Sequence, residues 1–312
     1  RTPAFDCELI QGVIVHSTIL TRQDLLKARP LAISWIQGCK TCWDKEKIIE
    51  KALTKSRAET AQKKEADKAK AAPTLQDIYR KEFLKPHRSL RQGDLASCLI
   101  HTRRAAINVS ASWLGSNGIQ VRRGGRRSFD QILSNMKNLG QDKAVKCLVH
   151  LFQAQARQEE VDELLGEMIG LSQATYNFLK NTCLYRRLSP SELGLMHHAS
   201  GPEELGSFLE ALYKPLAVHY PRSMIACCGF VGTSLAERVV RARKRSLRQE
   251  YRDTVLVRSL AAMTDLPAGF VDDFLRLQRL HSTQPRQLEA VKATEGTLSR
   301  LINRSRRAER RE

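Results

Sequence analysis

Apolar residues recur along most of this chain at the three- and four-residue spacing of an amphipathic helix, as at Ile132, Leu133 and Met136. The alternation of apolar and polar residues that is typical of strands is scarce, and short strands are expected only at 10–15 and 119–121. The pattern therefore predicts a mainly α fold. It favours an antiparallel helical bundle or an irregular helical-repeat array with basic extensions.

Several sites have the spacing of a capping box, in which a hydroxyl residue precedes an acidic or amide residue by three positions. These sites are Thr21…Asp24, Thr74…Asp77, Ser128…Gln131, Ser189…Glu192 and Ser200…Glu203. Pro190 follows the fourth site at the first helical position, which suits its fixed backbone angle. Each site predicts the start of a helix.

Changes in composition divide the chain into segments. The stretch 44–72 is rich in Ala, Lys and Glu, which predicts a charged helix that is either an exposed linker or a contact to RNA. Residues 128–220 are the least basic part and contain enough apolar residues for a helical core. The expected order is an N-terminal segment (1–43), the charged extended helix (44–72), a helical segment ending in an Arg/Gly loop (73–127), the helical core (128–220), and a basic helical region with a C-terminal tail (221–312).

The chain is strongly basic, with 52 Lys and Arg residues, 33 Asp and Glu residues and a formal net charge of +19 over 312 residues. Such charge attracts polyanions, and the planar guanidinium of Arg binds phosphate oxygens in pairs. No uninterrupted apolar run approaches the roughly 20 residues that cross a bilayer, so no membrane span is expected. The expected partner is RNA.

Three regions concentrate this charge. Glycines between arginines in the loop 122–127 let the backbone bend around a phosphate, although a solvated linker is the alternative. On a helix over 238–252, Arg241, Arg245, Arg248 and Arg252 line one face, while Leu235, Val239, Val240 and Leu247 pack on another. The basic tail either threads between RNA helices or is disordered when free. The candidate RNA-binding residues are Arg103, Arg104, Arg122, Arg123, Arg126, Arg127, Arg238, Arg241, Arg243, Lys244, Arg245, Arg248, Arg252, Arg304, Arg306 and Arg307.

Two stretches of the core carry a further pattern. The first is Ser128-Phe129 followed by Ile132, Leu133, Gly140, Ala144 and Leu148, and the second is Thr175-Tyr176-Asn177 with Leu179 and Leu195. Residues 128–196 therefore resemble pentatricopeptide repeats, the helical-pair proteins of organellar RNA metabolism. In that family, paired positions on successive repeats read single RNA bases. Phe129 and Tyr176 are 47 residues apart, longer than the roughly 34-residue period of such arrays, so no base-reading residues are assigned. An ordinary helical bundle explains the same residues.

The sequence offers little for catalysis. Cys39 and Cys42 have the spacing of two zinc ligands, but no second pair completes a four-ligand site, so no metal is expected. Phosphate-loop, nucleophile-elbow and His-Glu-x-x-His motifs do not occur. We expect neither an enzyme nor a cofactor.

The expected function is a structural RNA-binding component of a large ribonucleoprotein. A mitochondrial ribosomal protein in the matrix, bound to rRNA and to neighbouring proteins, is the specific expectation. Arg1 in place of an initial Met fits either a removed targeting peptide or a trimmed start. One alternative is a viral-type nucleoprotein that coats single-stranded RNA. The other is an accessory subunit of a matrix-side membrane complex, where basic charge meets anionic lipid or acidic subunits.

Overall fold

The structure, a computed structural model, describes residues 4–10, 13–19, 47–52, 54–55, 74–121, 128–155, 157–280 and 284–309. The chain forms two compact units, Arg1–Pro73 and Thr74–Glu312. The mainly α fold that the sequence predicts is confirmed.

The described part of the first unit contains an antiparallel hairpin. Strand β1 (Ala4–Ile10) pairs with β2 (Val13–Ile19), with Ala4 opposite Ile19 and Ile10 opposite Val13. The short strand expected at 10–15 is met only in part: Ile10 ends β1, residues 13–15 belong to β2, and residues 11 and 12 lie outside the described residues. Residues 48–52 and 54–55 are helical and fall within the predicted charged helix. The rest of that predicted helix, and the Thr21…Asp24 site, lie outside the described residues.

The second unit is built from helices joined by short connections. Its described helices are α1 (Leu75–Arg91), α2 (Leu95–Ser116), α3 (Ser128–Asn138), α4 (Asp142–Phe152), α5 (Gln158–Asn181), α6 (Pro190–Leu193), α7 (Pro202–His219), α8 (Pro221–Ser246), α9 (Leu256–Ala261), α10 (Phe270–Leu277) and α11 (Gln284–Glu309). Short 3-10 turns lie at Leu184–Arg187, Gly194–His197 and Asp253–Val255.

Two of the predicted helix starts carry complete capping boxes. At α1, the Thr74 hydroxyl accepts from the Asp77 N–H at 3.2 Å, and the Asp77 carboxylate accepts from the Thr74 N–H at 3.1 Å. Ser189 and Glu192 do the same for α6, with Pro190 in the first turn. These reciprocal bonds satisfy backbone donors that a helix start leaves open.

Two other starts differ from the expectation. Helix α7 is capped by Gly201 without a side-chain bond, and the Ser200 N–H and hydroxyl instead donate to Glu204 at 2.6 Å. Helix α3 begins at Ser128, and its first turn is hydrogen-bonded to the first turn of α8. The Asp130 N–H donates to the Ser223 hydroxyl at 3.0 Å, and the Ser223 N–H returns a bond to the Asp130 carboxylate at 2.9 Å. The two helix starts therefore stabilise each other.

The strand expected at 119–121 is also wrong. Gly118 adopts a left-handed conformation with φ of 78°, and the Ile119 N–H donates to the Leu114 carbonyl at 2.9 Å. This is the hydrogen-bond pattern of a Schellman ending to a helix. Ile119 is therefore the residue that closes α2.

The core runs through the whole second unit. Helix α5 packs against α7, α8 and α10, and α2 packs against α1, α3 and α11. Phe83 of α1, Leu148 of α4, Phe208 of α7 and Val239 of α8 are all buried. The segment boundaries expected at 127/128 and 220/221 therefore lie inside one compact unit.

Candidate nucleic-acid interface

Three of the predicted arginines of α8 converge on one acidic residue, Glu192. The Arg238 side chain donates through Nε to the backbone carbonyl of Glu192. Arg241 donates to its carboxylate at 3.1 Å, and Arg245 donates to both carboxylate oxygens at 2.8 Å. Spacings of three and four residues place these arginines on one side of α8. Of the four arginines predicted to share one face, Arg241 and Arg245 do lie together, joined by Arg238, and all three bind the protein itself.

The geometry of Glu192 keeps it ionised. Arg245 on one side, with the Ser189 N–H at 2.9 Å on the other, holds the pKa of the Glu192 carboxyl well below its ordinary value. A carboxylate that accepts several charge-assisted bonds retains its charge down to low pH. Glu192 therefore fixes the two arginines in place.

Positive charge nevertheless exceeds negative charge on this side of the unit. Arg104 is 57% exposed and lies 3.7 Å from Glu237, which also lies 4.0 Å from Arg241. The Arg187 carbonyl accepts from Arg245 at 2.9 Å, so the turn 184–187, with its exposed Arg186 and Arg187, joins the cluster. We call this set of six residues the arginine surface: Arg104, Arg186, Arg187, Arg238, Arg241 and Arg245. Glu192 and Glu237 offset two of its six positive charges.

The predicted helix over 238–252 is wrong beyond Ser246, where α8 ends. Arg248 adopts a left-handed conformation with φ of 53°, and the Gln249 N–H donates to the Lys244 carbonyl at 2.8 Å. The helix thus ends in a Schellman motif with Arg where Gly is usual. Arg248 is therefore turned away from the helical face that the sequence predicts.

Residues after the end of α8 at Ser246 do not continue its helical face. Arg252 does not extend the face of α8 but pairs with Glu250 at 3.0 Å. Leu247, expected to pack inward, is 51% exposed, whereas Leu235 and Val240 are buried as expected.

Arg243 and Lys244 line a different feature, a cavity of about 440 Å³ between the end of α8 and α9. Arg258 also lines it and donates to the Gln92 carbonyl at 2.8 Å. Arg243 pairs with Asp265 at 3.1 Å, and Lys244 donates to the Gln249 side chain at 2.8 Å. These basic groups are therefore held by the fold as well.

Arg103 is not a surface residue. It is 5% exposed and donates to the Leu151 carbonyl at 2.9 Å and to the Gln278 carbonyl at 2.6 Å. Both carbonyls belong to helix C-terminal ends, of α4 and α10, where the helix dipole favours a cation. Burial lowers the pKa of Arg103 to about 10, so the guanidinium remains charged at neutral pH. Its prediction as an RNA-binding residue is wrong, because it is enclosed between helices.

The remaining predicted residues fall outside the described side chains. Arg122, Arg123, Arg126 and Arg127, together with Cys39 and Cys42, lie outside the described residues. Arg304, Arg306 and Arg307 lie on α11, whose backbone stays helical to Glu309. In this part of the tail the backbone is therefore a regular helix.

A basic surface that sequence reasoning missed lies on α1. Arg80, Lys81, Arg88 and Arg91 are exposed, and we call these four residues the basic face of α1. Steps of seven and eleven residues along a helix return to nearly the same side. Lys81, Arg88 and Arg91 have no ion-pair partner within 4.0 Å among the described residues. The same spacing test that was applied to 238–252 finds this face in the sequence.

Metal and membrane features add little. In the part of the chain that the structure describes, no group of three or more His, Cys, Asp or Glu residues could hold a metal ion. Among described helices, α8 has the length and composition to cross a membrane, with a mean hydropathy of 1.3. Of that apolar window, 61% is buried inside the protein, and a core helix passes the same test. This is weak evidence for a membrane span.

Comparison of the chain with protein-family models, with curated proteins and with solved structures found no match.

Proposed function

We propose that this protein is a structural, RNA-binding component of a large ribonucleoprotein, and that the particle is the mitochondrial ribosome. In this proposal the helical unit 74–312 is a folded scaffold that positions basic side chains to contact RNA phosphates. Neighbouring proteins bind the rest of its surface.

The observation that carries the proposal is the basic face of α1. Lys81, Arg88 and Arg91 are exposed cations without an ion-pair partner among the described residues. Exposed positive charge that no carboxylate offsets attracts polyanions. Binding of a polyanion neutralises these cations and so lowers the repulsion between them.

The arginine surface supports the same function in another way. Its guanidinium groups are held by Glu192 and by backbone carbonyls, yet Arg245 keeps 46% of its side chain exposed. A guanidinium already fixed in position loses less conformational entropy when a phosphate binds.

Salt-dependent binding tests the proposal. For single-stranded RNA, each neutralised phosphate contributes about 0.7 to the slope of log affinity against log salt. We expect a steep slope for the unmodified chain with little sequence preference. The combined variant Lys81→Gln, Arg88→Gln, Arg91→Gln should lower that slope by about 2.

A matched control removes the same number of exposed cations elsewhere. The control carries Arg157→Gln, Lys214→Gln and Arg222→Gln. Arg157 is the N-cap residue of α5, Lys214 lies on α7 and Arg222 lies on α8. This control should keep the slope. Affinity that does not change with salt concentration contradicts the RNA-binding proposal.

The particle is tested in cells. The tagged chain should sediment with mitochondrial rRNA in a gradient and leave that fraction after ribonuclease treatment. If ribonuclease leaves the sedimentation unchanged, the protein is not held in the particle by RNA. That result favours attachment to a protein or membrane complex.

A further inference from the structure

A cavity of about 430 Å³ opens between α2, α3, α7 and α8. This volume lies in the range of roughly 300 to 1,000 Å³ that is typical of small-ligand sites. Ile107, Phe129 and Phe230 supply apolar and aromatic walls. Arg104 and Glu237 supply opposite charges at the same cavity. The lining therefore suits a flat ligand with a polar edge and an anionic substituent.

Glu237 is the group that defines the polar edge. Its side chain is 19% exposed, and its nearest cationic nitrogens are those of Arg104 at 3.7 Å and Arg241 at 4.0 Å. Both distances exceed that of a hydrogen bond. No residue that the structure describes donates a hydrogen bond to the Glu237 carboxylate. Its two oxygens are thus held near cations while their lone pairs remain open to a ligand.

We infer that this cavity takes one unstacked guanine base of the bound RNA, an inference that rests on the proposed function. The guanine N1–H and N2–H donate to the two carboxylate oxygens of Glu237. The ring lies against Phe230, and the adjoining phosphate meets Arg104. Proteins recognise single-stranded RNA by such splayed bases, stacked on aromatic rings and bonded along their Watson–Crick edges.

The choice of guanine follows from donor geometry. Guanine presents two adjacent N–H donors, which match the two oxygens of one carboxylate. Adenine and cytosine place an acceptor nitrogen beside their single amino group, and uracil flanks its N–H with two carbonyl oxygens. In each of these bases an acceptor would face the charged Glu237 oxygens without a bonding partner, which is unfavourable.

Calorimetric titration with two RNA oligomers tests the inference. One is a uridine decamer, and the other carries a single central guanosine. We expect the guanosine oligomer to bind about tenfold more tightly, since a matched bidentate contact discriminates one base from the others. Glu237→Gln should remove this preference. The control Glu250→Gln, at an exposed acid paired with Arg252, should keep it.

A second variant tests the cavity without altering its charge. Ser234 lines the cavity on α8, and Ser234→Phe places a ring in that space. The preference for guanosine should again disappear. Its persistence in Ser234→Phe would overturn the inference even if Glu237→Gln failed to fold.

The outcomes separate the two proposals. Equal, salt-dependent binding of both oligomers by the unmodified chain overturns the guanine site and leaves RNA binding in place. If neither oligomer binds, guanosine monophosphate is titrated alone. Binding that Ser234→Phe abolishes then supports the site and rejects the RNA function, whereas no binding rejects both.

Discussion

The basic face of α1 and the arginines of α2 and α8 differ in what their charges contact. Lys81 and Arg88 on α1 are exposed and have no ion-pair partner among the described residues. Arg103 and Arg245 instead bond to backbone carbonyls or to Glu192. A basic sequence thus serves two purposes, and the positions of carboxylates and helix ends decide which one applies. Cations held by the fold contribute stability, while free cations are available to a partner.

The largest expected effect is on stability, at Arg103. Arg103→Met keeps most of the side-chain volume but leaves the Leu151 and Gln278 carbonyls without their donor. We expect a loss of about 3 kcal/mol in the free energy of unfolding, measured by urea denaturation. Arg88→Met should change it by less than about 0.5 kcal/mol. Equal effects for the two variants would remove the distinction between held and free arginines.

Substitution of Glu192 is expected to lower the stability by a smaller amount and to raise the affinity for RNA. Glu192→Gln removes the ionic partner of Arg241 and Arg245 and weakens the cap of α6, at a cost of about 1 to 2 kcal/mol. The same change removes one of the two negative charges that offset the arginine surface, so the affinity for RNA should rise severalfold at low salt. Glu203→Gln, at an exposed acid on α7, is the control. If Glu192→Gln changed neither the free energy of unfolding nor the RNA affinity, the pairing of Glu192 with these arginines would be contradicted.

The pH dependence of the stability of the unmodified protein also tests the role of the Glu192 carboxylate. The pKa of Glu192 is lower in the folded protein than its ordinary value of 4.5. Its contribution to stability is therefore complete above about pH 4.5 and is lost as the pH falls from there toward the folded pKa. Urea denaturation between pH 6 and pH 3 should show a steeper loss for the unmodified protein than for Glu192→Gln. Parallel curves would contradict the pairing.

The smallest expected effect is on the stability of the α1 variant. Lys81→Gln, Arg88→Gln and Arg91→Gln together should shift the free energy of unfolding by only about 0.5 kcal/mol. Exposed side chains without partners contribute little, apart from the favourable position of Arg88 and Arg91 in the last helical turn. Thermal unfolding in the absence of RNA measures this. A loss of several kcal/mol would place these residues among the structural arginines.

Much of the fold could be predicted from local signals. The capping boxes at Thr74 and Ser189 lie where their spacing indicates, because such caps depend on residues three positions apart. The buried residues Phe270, Phe274 and Leu277 follow from helical periodicity in the same way. The end of α8 could not be predicted, because the Schellman motif there has Arg248 in place of the usual glycine.

The site was harder to predict than the fold. Arg103 and Arg104 are adjacent in sequence, and one is enclosed between helices while the other lies beside Glu237. Glu192 and Arg245 are separated by 53 residues, so no local pattern reveals their pairing. Charge density can be read from a sequence. The carboxylate or carbonyl that each charge meets depends on the tertiary packing.

Lysine footprinting tests the central claim most directly. The chain is acetylated with and without RNA, and the modification of Lys81 on α1 is compared by mass spectrometry with that of Lys214, which pairs with Glu210 on α7. We expect RNA to protect Lys81 strongly and to leave the reactivity of Lys214 unchanged. Equal reactivity of Lys81 with and without bound RNA would contradict a phosphate-binding role for the basic face of α1.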